Sequence, residues 1–88
     1  MLGKHKTTYN IFQGQIEHAK LRAKQHYHLD FSRAVRRRFK KIIKENLASL
    51  VKKDRGKETY DVPYQNEIYR VVYNPKNSDI VTFLPRDN

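Results

Sequence analysis

The 88-residue sequence predicts a single α+β domain, in which two N-terminal helices pack on a three-stranded, or slightly larger, antiparallel sheet. Three observations support this prediction. Apolar residues recur at helical spacing in the first part of the chain, aromatic and β-branched residues dominate after Gly56, and the length suits only one hydrophobic core. Two helices followed by strands favour packing of both helices against one face of the sheet.

The first helix is predicted over residues 13–27, after a loose N-terminal arm formed by residues 1–12. This stretch contains good helix formers, and its apolar residues recur at helical spacing. Asp30 and Ser32 follow it. Either side chain is suited to cap a second helix by accepting a hydrogen bond from a free backbone N–H.

The second helix is predicted to end near Lys53, so that the helical half covers residues 13–53. Its apolar stripe has a period of about 3.6 residues. The stripe consists of Phe31, Ala34, Val35, Phe39, Ile42, Ile43, Leu47, Leu50 and Val51. Gly56 then provides the flexible residue that commonly follows the end of a helix.

The sheet is predicted over residues 57–85, with strands at residues 58–64, 67–74 and 79–84. A tight turn at Gln65-Asn66 and a turn over residues 74–77 connect these strands as an antiparallel meander. Alternation along the middle strand places two sets of side chains on opposite faces. These sets are Tyr69, Val71 and Tyr73 on one face, and Ile68, Arg70 and Val72 on the other.

The net charge of +10 is concentrated in the first part of the chain. Residues 1–56 hold 15 lysines and arginines against 4 acids, whereas residues 57–88 hold 4 against 5. Clustered cations bind a polyanion strongly because they release its condensed counterions. A nucleic acid, RNA more than DNA, is therefore the expected partner. An acidic protein surface and simple maintenance of solubility are the alternatives.

The chain contains no cysteine, which excludes disulfides, thiol chemistry and the usual structural zinc sites. No apolar run approaches the roughly 20 residues that a membrane span needs, and no signal peptide is evident. We therefore expect a cytoplasmic protein without membrane contact, cofactor or metal.

The predicted second helix carries cations on the face opposite its apolar stripe. Arginine can hold phosphate through two parallel hydrogen bonds, and each neutralised phosphate adds a salt-dependent contribution to affinity. The predicted phosphate ligands are Arg33, Arg36, Arg37, Arg38, Lys40, Lys41 and Lys44. A solvated helix face is the alternative interpretation of this pattern.

Histidines on the first helix are candidates for chemistry. His18 and Arg22 are four residues apart and therefore neighbours on one helix face. RNA cleavage needs a proton acceptor, a proton donor and a cation at the phosphate, and this pair suits those roles. The simpler alternative is that His18 is a surface histidine and that Arg22 is one cation among many.

His26 and His28 lack further metal ligands nearby. A local helix cap or a phosphate contact is therefore expected for them instead of metal binding.

In the strands, Arg70 and Thr82 interrupt apolar runs. A charge at Arg70 must reach solvent or a partner, and a ligand's phosphate is a reasonable one. Thr82 is also explained by its preference for strands. The tyrosines of this region could stack bases on an exposed face, although core packing is their more frequent use.

Two motifs resemble a family of small proteins related to the RelE-type and barnase-like ribonuclease toxins. The first is HA-x2-R-A, here residues 18–23, and the second is YRVVY followed by IVTFLP, here residues 69–73 and 80–85. The resemblance spans roughly residues 15–85. It implies a fold in which helices pack on an antiparallel sheet. Proteins of this family are of phage and bacterial origin.

The resemblance also implies a metal-independent endoribonuclease that needs an inhibitor partner. His18 would act as general base or acid, Arg22 and Arg70 would stabilise the phosphate, and Thr82 would contact it from the sheet, all converging on one cleft. The alternative function is a non-enzymatic basic binding protein, phage-encoded or regulatory. Such a protein would act on host nucleic acid or on an acidic host protein.

Overall fold

The computed structural model describes residues 11–86, with side chains described from residue 14. It confirms the α+β class: two helices accompany one antiparallel sheet with the strand order β1-β2-β3-β4. The elements are α1 (Ile11–Tyr27), α2 (Arg33–Lys44), β1 (Ser49–Asp54), β2 (Lys57–Tyr64), β3 (Glu67–Asn74) and β4 (Asp79–Leu84). Neither helix combines the length and the apolar character needed to cross a membrane.

Helix α1 begins at Ile11, two residues earlier than predicted, and the rest of the predicted N-terminal arm lies outside the described residues. The helix ends at Tyr27, and the next residue, His28, has a left-handed backbone (φ 57°) whose N–H donates to the carbonyl of Lys24 at 3.0 Å. The expected capping role of His28 is thus performed by its backbone. Ser32 caps α2, because its hydroxyl accepts from the N–H of Val35 at 3.3 Å.

The prediction that the second helix continues to Lys53 is wrong, because α2 ends at Lys44. Asn46 has a left-handed backbone (φ 60°), and its N–H donates to Ile43, while the N–H of Leu47 donates to Ile42. This pair of bonds is a Schellman motif, which closes a helix and redirects the chain. Residues 49–54 instead form β1, so the sheet has four strands, in agreement with the predicted three or slightly more.

Two-residue turns join the first three strands. Arg55 and Gly56 connect β1 to β2, and Gln65 and Asn66 connect β2 to β3, all with positive φ between 49° and 79°. Such turns match the right-handed twist of a hairpin. Gly56 therefore belongs to a hairpin rather than to a helix end. The predicted turn at Gln65-Asn66 is confirmed, and it aligns Tyr64 with Glu67 and Asp61 with Arg70.

The hydrophobic core lies between the helices and one face of the sheet. From α1 it receives Ala19 and Ala23, whose small side chains allow close contact with β4, and from α2 it receives Phe39 and Ile43. The sheet contributes Val62, Tyr69, Val71, Tyr73, Ile80 and Phe83. Packing of both helices on one face leaves the other face, with Arg70, uncovered by any helix within residues 11–86.

Candidate nucleic-acid interface

The outer face of α2 is a row of exposed cations, which we call the basic stripe: Arg33, Arg37, Arg38, Lys41 and Lys44. The burial of Phe39 and Ile43 fixes the orientation of the helix and directs these five side chains to solvent. At a rise of about 1.5 Å per residue, the stripe is about 16 Å long.

Acidic side chains neutralise little of the basic stripe. Lys41 lies 3.9 Å from Glu45, one helical turn later. Across residues 14–86, the other four stripe cations have no carboxylate within ion-pair distance. An exposed pair such as Lys41–Glu45 is worth at most about 0.5 kcal/mol. The stripe therefore remains a strongly positive surface that a polyanion can approach.

Arg36 does not belong to this surface, and its predicted exposure is wrong. It is 7% exposed and forms an ion pair with Asp79, the first residue of β4. Its guanidinium also lies 5.1 Å from the centre of the Phe31 ring. Lys40 turns in the same direction, with its ammonium 3.9 Å from Asp79. Arg36 is therefore a core residue, and Lys40 is shared between Asp79 and the surface.

His26 and His28 lie at the end of α1, away from the basic stripe in the sequence. The ring of His26 is half-buried and meets Tyr27 edge-on, with centroids 6.4 Å apart. Within the described part of the chain, no group of three His, Asp or Glu side chains is placed to hold a metal ion. The proposed phosphate contact of His26 thus has no geometric support beyond partial exposure.

The predicted catalytic residues fall into two pairs. His18 and Arg22 lie side by side on α1, where Arg22 donates to the side chain of Gln25 at 2.8 Å. Arg70 and Thr82 share the uncovered face of the sheet, on neighbouring strands. Helix α1 packs on the opposite face through Ala19 and Ala23. The two pairs therefore lie on different sides of the sheet, instead of converging on one cleft as expected.

Arg70 is held by an acid on the adjacent strand. Its Nε and one terminal nitrogen donate to the two carboxylate oxygens of Asp61 at 2.8 and 3.0 Å. Arg86 approaches the same carboxylate at 3.9 Å. This geometry fixes the guanidinium plane on the sheet face opposite the helices, where the Arg70 side chain is 30% exposed, and commits much of its charge to Asp61.

Beside the basic stripe, a groove runs between α2, the segment that follows it and the β2–β3 turn. Its volume is about 520 Å³, within the range of small-ligand sites. Its lining combines apolar and charged side chains: Ala34, Val35, Arg38, Lys41, Ile42, Glu45, Leu47, Pro63, Tyr64 and Gln65. The groove thus shares Arg38 and Lys41 with the stripe.

No family model, curated protein or solved structure matches this chain.

The Asp61–Arg70 pair makes a pH-dependent contribution to stability. Hydrogen bonds from Arg70 hold the pKa of the Asp61 carboxyl below its usual value of 3.8. A lowered pKa in the folded state stabilises the fold above the unfolded-state pKa, and this stabilisation is lost as pH falls through the lowered value.

We therefore expect Asp61→Asn to reduce the free energy of unfolding by about 1 kcal/mol near neutral pH. The difference from wild type should shrink as pH is lowered from about 5 to about 2. Urea denaturation across this range measures both quantities. Glu67→Gln, at an exposed acid without an ion pair within residues 14–86, is the control. A deficit of Asp61→Asn that persists at low pH would contradict the assignment.

Sequence reasoning missed Asp61, Asp79 and the bridging role of Tyr27. The Tyr27 hydroxyl donates to the carbonyl of Leu84 at 2.5 Å and accepts from the N–H of Arg70 at 3.1 Å, and burial raises its pKa. Asp61 could have been found, because a two-residue turn at Gln65-Asn66 places it opposite Arg70. The contacts of Tyr27 and Asp79 join distant parts of the chain and left no local signal.

Proposed function

We propose that this protein binds RNA through the basic stripe of α2. The observation that supports this function is the row of five exposed cations, which have a single acidic neighbour among residues 14–86. Phosphates spaced along a nucleic acid can each neutralise one such cation and release counterions. Contacts of this kind carry no sequence information, so the binding is expected to tolerate many sequences.

RNA is proposed rather than DNA for two reasons. The resemblance to ribonuclease toxins implies an RNA substrate, and the groove beside the stripe suits bases that are not paired. Single-stranded regions, which offer such bases, are where proteins most often recognise RNA.

Titration with a labelled single-stranded RNA tests this function. Affinity is expected to fall as potassium chloride is added, with a slope of about −0.7 for each phosphate contacted. Five contacts would give a logarithmic slope of about −3 to −4. The proposal fails if the protein does not bind at low ionic strength, or if the affinity is indifferent to salt.

A second candidate function is metal-independent cleavage of RNA, supported by the fixed guanidinium of Arg70 beside Thr82. His18 and Arg22 provide a proton acceptor and a cation at a separate position on α1. Because the two pairs lie on different sides of the sheet, cleavage would use one pair and not all four residues. Binding without cleavage, to RNA or to an acidic protein, is the alternative supported by the same stripe.

If His18 is the general base, His18→Ala should slow the cleavage of RNA in EDTA by about a hundredfold. Electrophoresis of a labelled RNA after incubation with each purified protein measures this effect. Arg70→Gln tests the other pair in the same assay, and RNA binding should persist in both variants. Equal cleavage by wild type and both variants, or no cleavage at all, would remove the catalytic proposal and leave the binding function.

A further inference from the structure

The groove next to the basic stripe is lined in part by apolar side chains. Leu47 is 61% exposed and is held there by the Schellman motif that ends α2. Ile42, the residue to which its N–H donates, lines the same groove. Burial of such exposed apolar surface is favourable for any ligand that covers it.

An aromatic ring forms one wall of the groove. The Tyr64 ring lies 5.1 Å from Phe39 and 6.2 Å from Tyr69, measured between ring centres. Phe39 is fully buried, so this cluster restrains Tyr64. Pro63 precedes it and also lines the groove. A restrained ring can stack on a flat ligand with little loss of side-chain entropy.

Charged side chains also line the groove. Arg38 and Lys41 are exposed, and both belong to the basic stripe. Glu45, the one acid among the described residues that line the groove, lies 3.9 Å from Lys41. A ligand that fits must therefore combine a flat, largely apolar group with a nearby negative charge.

We propose that this groove binds an unpaired base of single-stranded RNA, whose adjacent phosphates lie on Arg38 and Lys41. The inference rests on the proposed function, and it names the group of the RNA that the groove recognises. A nucleotide joins a flat ring to a phosphate through one sugar, which matches the apolar and the cationic side chains that line the groove. A duplex keeps its bases stacked inside and can offer the groove only phosphates.

The test compares three RNA ligands of equal length: an unstructured oligouridine, the same backbone without bases, and a duplex. The wild-type protein should bind oligouridine about tenfold more tightly than the abasic strand, since stacking on an aromatic side chain is worth about that much. It should also prefer oligouridine to the duplex. Fluorescence anisotropy at constant ionic strength measures the three affinities.

Variants of the groove locate this preference. Tyr64→Leu should bring the affinity for oligouridine close to that for the abasic strand, and Tyr64→Phe should retain the difference because the ring remains. Ala34→Leu, at an exposed position in the groove, should weaken base binding without disturbing the core. Glu45→Gln should increase affinity for all three ligands. Circular dichroism confirms that each variant folds.

The outcomes separate this inference from the proposed function. Equal binding of oligouridine and the abasic strand, or no effect of Tyr64→Leu and Ala34→Leu, overturns the base site and leaves phosphate binding by the stripe intact. Absence of binding to every RNA overturns both proposals. Polyglutamate that binds as tightly as oligouridine would assign the stripe and groove to an acidic protein partner, and it would also overturn the base site.

Discussion

Asp79→Ala is expected to lower the free energy of unfolding by about 3 to 5 kcal/mol. Asp79 is buried, forms an ion pair with Arg36, and accepts from the N–H of Ile80 at 2.9 Å. Gln15 of α1 approaches its other oxygen at 3.4 Å. Alanine removes all of these contacts and leaves the Arg36 charge buried without a counterion. A loss of this size is a large part of the stability of a typical small domain.

Urea denaturation of Asp79→Ala and of suitable controls measures this effect. Asp61→Ala is the matched control, because it removes a carboxylate that is also paired with arginine but is less buried, with 19% of its side chain exposed against 10% for Asp79. Its cost should be about 1 kcal/mol. Adding Arg36→Met to Asp79→Ala should restore part of the loss, since the unpaired buried charge is then absent. Equal costs for Asp79→Ala and Asp61→Ala would contradict a structural role for the buried pair.

Simultaneous replacement of Arg33, Arg37 and Lys44 by glutamine is expected to weaken RNA binding by on the order of a hundredfold at low ionic strength. These three cations lie on the solvent side of α2 without an acidic partner within residues 14–86. Each lost phosphate contact should reduce the salt dependence, so the logarithmic slope should decrease by about 2 in magnitude. Titration of labelled RNA at several potassium chloride concentrations measures both changes.

A control with the same change of net charge separates local contacts from overall charge. Lys20, Lys24 and Lys76 are exposed and lie outside α2, so replacing all three by glutamine leaves the stripe intact. This variant should retain most of the affinity and nearly the wild-type slope. If both triple variants lose affinity equally, the protein attracts RNA only through its net charge, and the stripe is not a binding site.

Local patterns predicted the sheet well. The strands at residues 67–74 and 79–84 and the turn at Gln65-Asn66 are where the sequence placed them. Alternation correctly placed Tyr69, Val71 and Tyr73 on one face, and the structure shows that this face is the buried one. These features depend on neighbouring residues only, because side-chain alternation and turn geometry are properties of a short stretch of backbone.

The segment after α2 was predicted incorrectly because its pattern is ambiguous. Leu47, Leu50 and Val51 continue the helical spacing of the preceding stripe, yet all three are exposed. Asn46 ends the helix through a left-handed backbone, and pairing of the next residues with β2 stabilises a strand. Short apolar runs do not distinguish helix from strand until a pairing partner is known.

By itself, the sequence determined the α+β class, the presence of two helices, the strand alternation and the concentration of positive charge in the N-terminal part. Tertiary structure alone decided which cations are free to bind a ligand. The neighbours of Arg36 in the sequence include exposed arginines. Arg36 itself is buried, because it forms an ion pair with Asp79, which is 43 residues away. The same long-range packing separated His18 from Arg70 and formed the groove at Tyr64. Such contacts depend on the packing of elements that are distant in the sequence. The spacing of residues along one helix or strand does not specify this packing.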